Sequence, residues 1–315
     1  MEITHLFVNL KEKLMGKGTT FKDTKSVIDL FTNRFTGGAG DPGRIGKRQK
    51  DMWVTIFKTI KKLDTDEAGN ILTNNKNLKI LRTLRGDLKK SIITPQYKKD
   101  LKQFLNGFNE LKSINDTYYK TIASGTLNAN KNVFKAITTI SIDATKSSLL
   151  DSGITEAIIK PVEKILSQNV TTGASFQDMT EMLRKDILGD GTTLGKLERY
   201  SKQITTDALN QFNANYNQTV SQDLGLEFYY YSGGVKETTR QYCKDRINEG
   251  RYYHMKEVEE SANQEWAGKI AGTNASSIFV NRGGYNCGHQ WLAVDSLAVP
   301  KKVRDRAESK GYYKP

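Results

Sequence analysis

Two thiols and two imidazoles fall in the last quarter of this 315-residue chain: Cys243, His254, Cys287 and His289. Cys287 and His289 are two residues apart, so on an extended segment they share one face while Gly288 points away. If a helix bearing Cys243 packs against that segment, the two sulfurs become neighbours. Three chemistries then stay open. The cysteines are small core thiols beside a hydrogen-bonded His289, or they form a disulfide, which a reducing cytoplasm opposes. Alternatively Cys243, His254, Cys287 and His289 hold Zn²⁺: the donor types suit it, although C-x₁₀-H and C-x-H match no common site. No other cofactor is expected.

Around these residues Arg240 is the natural polar lock, since a guanidinium can pin a backbone or a carboxylate across two segments. Gly283-Gly284 requires a tight turn and no more. No Ser-His-Asp, P-loop, HExxH or Rossmann pattern occurs, and of the three histidines His254 and His289 have no carboxylate cluster near them, so the chain is not expected to be an enzyme. The glycine-dense run from Gly37 to Gly46 lacks the Lys-Ser/Thr of a phosphate loop and reads as a mobile linker. Its Arg44 and the following Lys47, Arg48 and Lys50 could still rest on phosphates.

The string Thr238-Thr239-Arg240-Gln241-Tyr242-Cys243, then Gly250, then Gly284-Tyr285-Asn286-Cys287-Gly288-His289, resembles the Mu F-like family of phage minor head proteins. That family carries a Thr-Arg-x-x-Cys segment, a glycine-containing turn and a late Asn-Cys-Arg-His or Asn-Cys-Arg-Cys. Ile204 to Asn210 is similar to its Thr-Glu-x-x-x-Asn stretch, with Asp207 in place of Glu. The resemblance covers about residues 200–295 and departs at Gly288, where the family usually has Arg. It implies a structural motif of Thr239, Arg240, Cys243, Gly250, Gly284, Asn286, Cys287 and His289. It also implies a place at the portal and head interior of a tailed-phage virion, assembled in the host cytoplasm. The partners expected are the portal protein, other head proteins and packaged DNA. A metal-dependent nuclease or toxin-like enzyme built on the Cys/His cluster, or a non-specific DNA-binding protein, is the alternative.

The elements that must position these residues read as α+β: a mostly helical N-terminal region followed by a small mixed α/β C-terminal module. Apolar residues at helical spacing predict helices over 4–15, from Asp23 to Phe35, 47–63, 78–84, 96–122, 131–150, 154–168, 175–188 and 194–223. Gly225 is placed to end the last. Phe228 to Tyr231 is strand-like, 238–249 and 255–271 look helical, Ser277 to Val280 and 290–294 look like strands, and Pro300 opens a final basic helix. Three parts follow: a helical adaptor at 1–193, a connecting helix at 194–225 and the module at 226–315. The net charge is +13. Residues 1–100 hold 21 Lys and Arg against 11 Asp and Glu, so the excess there is +10. That field favours a polyanion, DNA or an acidic portal surface. No stretch is apolar enough for a membrane span or a signal peptide, and cytoplasmic synthesis is the expectation.

Overall fold

The chain is described by a computed structural model covering residues 24–37, 43–122, 131–150, 152–285 and 287–315. The helix expected over 4–15 lies outside the described residues. Helices occupy 68% of the structure and a three-stranded antiparallel sheet sits near the C-terminus, so the fold is α+β. Among the described residues no helix is long and apolar enough to cross a membrane.

The helices are α1 (24–36), α2 (Gly43–Ile60), α3 (Asn75–Ile92), α4 (Pro95–Ile122) and α5 (Lys131–Leu150). Then come α6 (Ser152–Ile154), a π-helical turn (Thr155–Ile159), α7 (Lys160–Thr172), α8 (Phe176–Leu188) and α9 (Lys196–Asp223). The chain divides into two compact units. The first comprises the described parts of Met1–Ile28, Gly107–Ser141 and Asp207–Pro315; the second comprises Asp29–Asn106 and Ile142–Thr206. Their limits do not follow the expected boundaries at 193 and 225, because α4 and α5 lend residues to the core around the sheet.

The second unit is helical. Its apolar stripes repeat at three- and four-residue spacing, which puts one face of each helix inward. Ile45, Met52, Ile56 and Ile60 come from α2, Leu84, Leu88 and Ile92 from α3, Val162, Leu166 and Val170 from α7, and Met179, Leu183 and Ile187 from α8. Each fully buried Ile or Leu contributes about 1.5–3 kcal/mol. Tyr97 joins them and donates to the Leu149 carbonyl at 2.6 Å. Ser175 caps α8 by accepting from the Asp178 N–H. Gly43 to Gly46 form the first turn of α2 rather than a linker, because Ile45 and Gly46 are buried there; residues 38–42 lie outside the described set.

In the first unit, β1 (Phe228–Ser232) pairs with β2 (Tyr252–His254) on one side and β3 (Gln290–Val294) on the other, both antiparallel. Strand alternation sorts the aromatic run. Phe228 and Tyr230 meet Val294, Val299, Val303 and Ala307, the last two carried by α13 (Lys301–Ser309). Tyr229 and Tyr231 face the opposite way: Tyr229 meets Ser221 at 2.6 Å and the Phe279 ring at 4.7 Å. Helices α4 and α9 meet through Phe108 on Phe212 and through Asn115 donating to Asn213 at 2.7 Å, and Tyr118 of α4 donates to the Ala293 carbonyl of β3 at 2.9 Å.

Three local expectations are corrected. Ser277 to Val280 is not a strand: Ile278–Asn281 is one helical turn, α12. The Asn274 side chain takes the Ser276 and Ser277 N–H groups and so starts it. The helix expected over 255–271 is only α11 (Met255–Ser261), since Gly268 and Gly272 adopt left-handed backbone. The short strand β2 was not foreseen.

Candidate functional site

Arg240 ends the loop after β1 at the N-cap position of α10 (Gln241–Asn248), placing Cys243 in the first turn of that helix with its side chain buried. Thr239 holds the loop by accepting the Lys236 N–H at 2.8 Å. The Arg240 guanidinium donates to the Tyr285 carbonyl at 2.5 Å and rests on Gly268, where a Cβ would stand 2.6 Å from Nε. Gly284, at φ +99, abuts the Gly268 carbonyl. The two turns and the start of α10 are thereby tied together, and the tie delivers Cys287 to Cys243.

The sulfurs of Cys243 and Cys287 are 3.9 Å apart, and both cysteines are free. His289 places Nδ1 3.7 Å from the Cys287 sulfur and Nε2 3.1 Å from the Gly234 carbonyl. A carbonyl only accepts, so Nε2 carries the ring proton and Nδ1 turns a lone pair toward the sulfurs. Tyr231 donates to Cys243 Sγ at 3.2 Å, lies 4.0 Å from Cys287 Sγ, and stacks on His289 with ring planes 5° from parallel. The ligand atoms of Cys243, Cys287 and His289 all lie within 4.8 Å of one another. Their relative exposures are 1%, 4% and 8%.

The Cys243 S–H lies against Cys287 and pushes the Cys287 thiol well below its ordinary value against the opposing effect of burial, with the Arg282 charge adding to the fall. Cys243 is pushed up by Cys287 and by burial. Arg282 is buried, with φ +53, and donates to the Val280 carbonyl at 2.9 Å. Its charge also acts on Asp207, whose carboxyl is raised by burial and drawn back by Arg282.

His254 does not join the cluster. It caps α11, with Nδ1 accepting from the Lys256 N–H at 3.2 Å and its own N–H donating to Glu257 at 3.1 Å. Gly250 is a turn residue at φ +105 with open space around it. Asn286 lies outside the described residues. Of the candidate phosphate contacts, Arg44 is paired with Asp100 and with Gln103 at 2.5 Å, and Arg48 with Asp51 at 3.0 Å. Lys47 and Lys50 are on α2, both exposed.

Sequence reasoning missed Tyr231, Arg251, Trp266 and the reason for Gly283. Arg251 donates to the Tyr231 and Gly233 carbonyls, and Trp266 to the Gly283 carbonyl at 3.0 Å. Alternation in the Phe228 to Tyr231 strand is the signal that sets Tyr231 apart from Tyr230. No family model matches the chain, and no curated protein or solved structure shows significant similarity to it.

Proposed function

We propose that this chain is a structural minor head protein of a tailed bacteriophage, acting at the portal and head interior during head assembly or DNA packaging. One observation carries the reading. The Thr239-Arg240-Cys243 and Gly284-to-His289 segments of the Mu F-like resemblance, more than 40 residues apart, meet at one buried cluster, while Gly250 stands apart in a turn. Thr239 and Arg240 set the α10 start, Gly268 and Gly284 receive Arg240, and Cys243, Cys287 and His289 meet beneath. Such a motif holds a fold together rather than turning over a substrate: its three reactive side chains are sealed from solvent. That burial favours a scaffold over the nuclease or toxin-like alternative. The basic charge of residues 1–100 supports an acidic partner, DNA or portal.

The test is co-expression of the full chain with its neighbouring portal and head proteins. Co-sedimentation with portal rings and incorporation into head particles are expected. A folded full chain that binds no portal and enters no particle would overturn the reading.

A further inference from the structure

Two thiol side chains buried in a core need no third polar donor aimed at them, and a disulfide needs none either. Here the lone pair of His289 Nδ1 is aimed at Cys287 Sγ, and its tautomer is fixed from behind by the Gly234 carbonyl. A second-sphere carbonyl on the far ring nitrogen is how metal-bound histidines are held. Two of the three edges fit as well, and the third, between Cys243 and His289, lies within 4.8 Å. A tetrahedral ion with Zn–S near 2.3 Å and Zn–N near 2.0–2.1 Å has S···S edges of about 3.8 Å and S···N edges of about 3.6 Å. The cluster shows 3.9 Å and 3.7 Å. We infer that Cys243, Cys287 and His289 form a structural site for a thiolate-preferring divalent cation, Zn²⁺ above all, with the fourth position facing the Tyr231 hydroxyl.

Charge supports the assignment independently. Two thiolates, a neutral imidazole and Zn²⁺ sum to zero, the condition under which ionised groups tolerate burial. Softness does too: two sulfurs and an imidazole select Zn²⁺ over Mg²⁺ or Ca²⁺, which take oxygen. Binding releases the thiol protons and ties α10, the 283–289 segment and β1 into one unit. The ion therefore enters as the chain folds, not through a channel afterwards. Nothing in this depends on the phage reading.

The experiment uses the untagged full chain, expressed with zinc and purified anaerobically without chelator. About one zinc per chain is expected. Replacement by Co²⁺ should give sulfur-to-cobalt charge transfer in the near ultraviolet and tetrahedral bands in the visible. His254→Ala should keep both signals, Cys287→Ser and His289→Ala should lose stoichiometric metal, and Tyr231→Phe should weaken affinity about 10- to 100-fold, as supporting residues do. The Co²⁺ spectrum is read on the wild-type chain, so the test survives a variant that fails to fold. Folded wild type with no metal and two titratable thiols would overturn the assignment in favour of core thiols. No metal and no titratable thiols would overturn it in favour of a disulfide. Metal retained after Cys243→Ala and Cys287→Ala together would mark the ion as adventitious, which also overturns it.

Discussion

Gly283 turns its bare α-carbon toward Cys243, and a Cβ in that place would overlap the Cys243 sulfur and stand 2.9 Å from that of Cys287. Its backbone is not left-handed, so the requirement for glycine is one of space alone. Gly283→Ala is therefore expected to cost about 1–3 kcal/mol, the range for an overpacked interior. Cys243→Ala in the same chain should relieve part of that loss, because the overlapping atom is gone. Chemical denaturation of the two single variants and the double variant measures the coupling. Strict additivity would mean that Gly283 is needed for something other than the sulfur.

Stability should fall in two steps as the solution is acidified. Burial holds the His254 imidazole below its ordinary 6.5. The unfolded chain thus takes up a proton that the folded chain refuses, and stability present above pH 6.5 drains away below it. The slope cannot exceed about 1.4 kcal/mol per pH unit for one proton. Glu257 gives the second step. Burial raises it, but Arg306, the His254 N–H and Lys310 together hold it below 4.5, so its contribution is present above 4.5 and lost as pH falls through its folded value. His254→Asn keeps a cap acceptor and should flatten urea-denaturation midpoints between pH 6.5 and 5. An unchanged slope would assign that window to another group.

The C-terminal 90 residues should not fold by themselves. Residues 226–315 lack Tyr118 from α4 and Ser221 from α9, which bond to β3 and β1, and the Phe108–Phe212 and Asn115–Asn213 contacts that join those two helices. Thermal scans should show a cooperative transition for the full chain and a broad, featureless one for the fragment. A sharp transition in the fragment would place the core elsewhere.

The cations of residues 1–100 fall into two groups. Arg44, Arg48, Lys76 and Arg85 are matched to Asp100, Asp51, Asp64 and Glu163, whereas Lys79, Arg82, Lys89 and Lys90 are exposed on α3. Deleting the region would remove core helices, so neutralisation is the cleaner probe. If four to six phosphates are contacted, duplex affinity should fall with salt at a log–log slope of roughly −4 to −5, without sequence preference. Changing Lys79, Arg82, Lys89 and Lys90 to Gln should shallow that slope by about one per lost contact. If the partner is an acidic portal instead, the same variant loses portal binding while DNA binding is weak throughout. Unchanged curves for both partners would make the charge a solvated face.

How much of this was written in the sequence differs from element to element. Long helices such as 96–122 and 131–150 show themselves through sustained apolar spacing, and so does the switch to strand at Phe228. The turn at Ile278 does not, because Ile, Phe and Val favour strands locally and only the Asn274 side chain, four residues upstream, decides for helix. Cys287 and His289 announced a shared face, but the exclusion of His254 depends on β2, three residues long and below the threshold of any pattern. Gly283 looked like a turn glycine for the same reason: the sulfur it must clear lies 40 residues away along the chain.

The hydrogen bond from Tyr118 to Ala293 spans 175 residues, and it sets a schedule for biosynthesis. The second unit is complete once Thr206 has left the ribosome, but the first cannot close until the last strand and α13 emerge. At about 5–20 residues per second, residues 207–309 take on the order of 5–20 s. During that interval Tyr118 waits without its strand, and a nascent chain stalled there offers an aromatic surface to chaperones or to assembly partners.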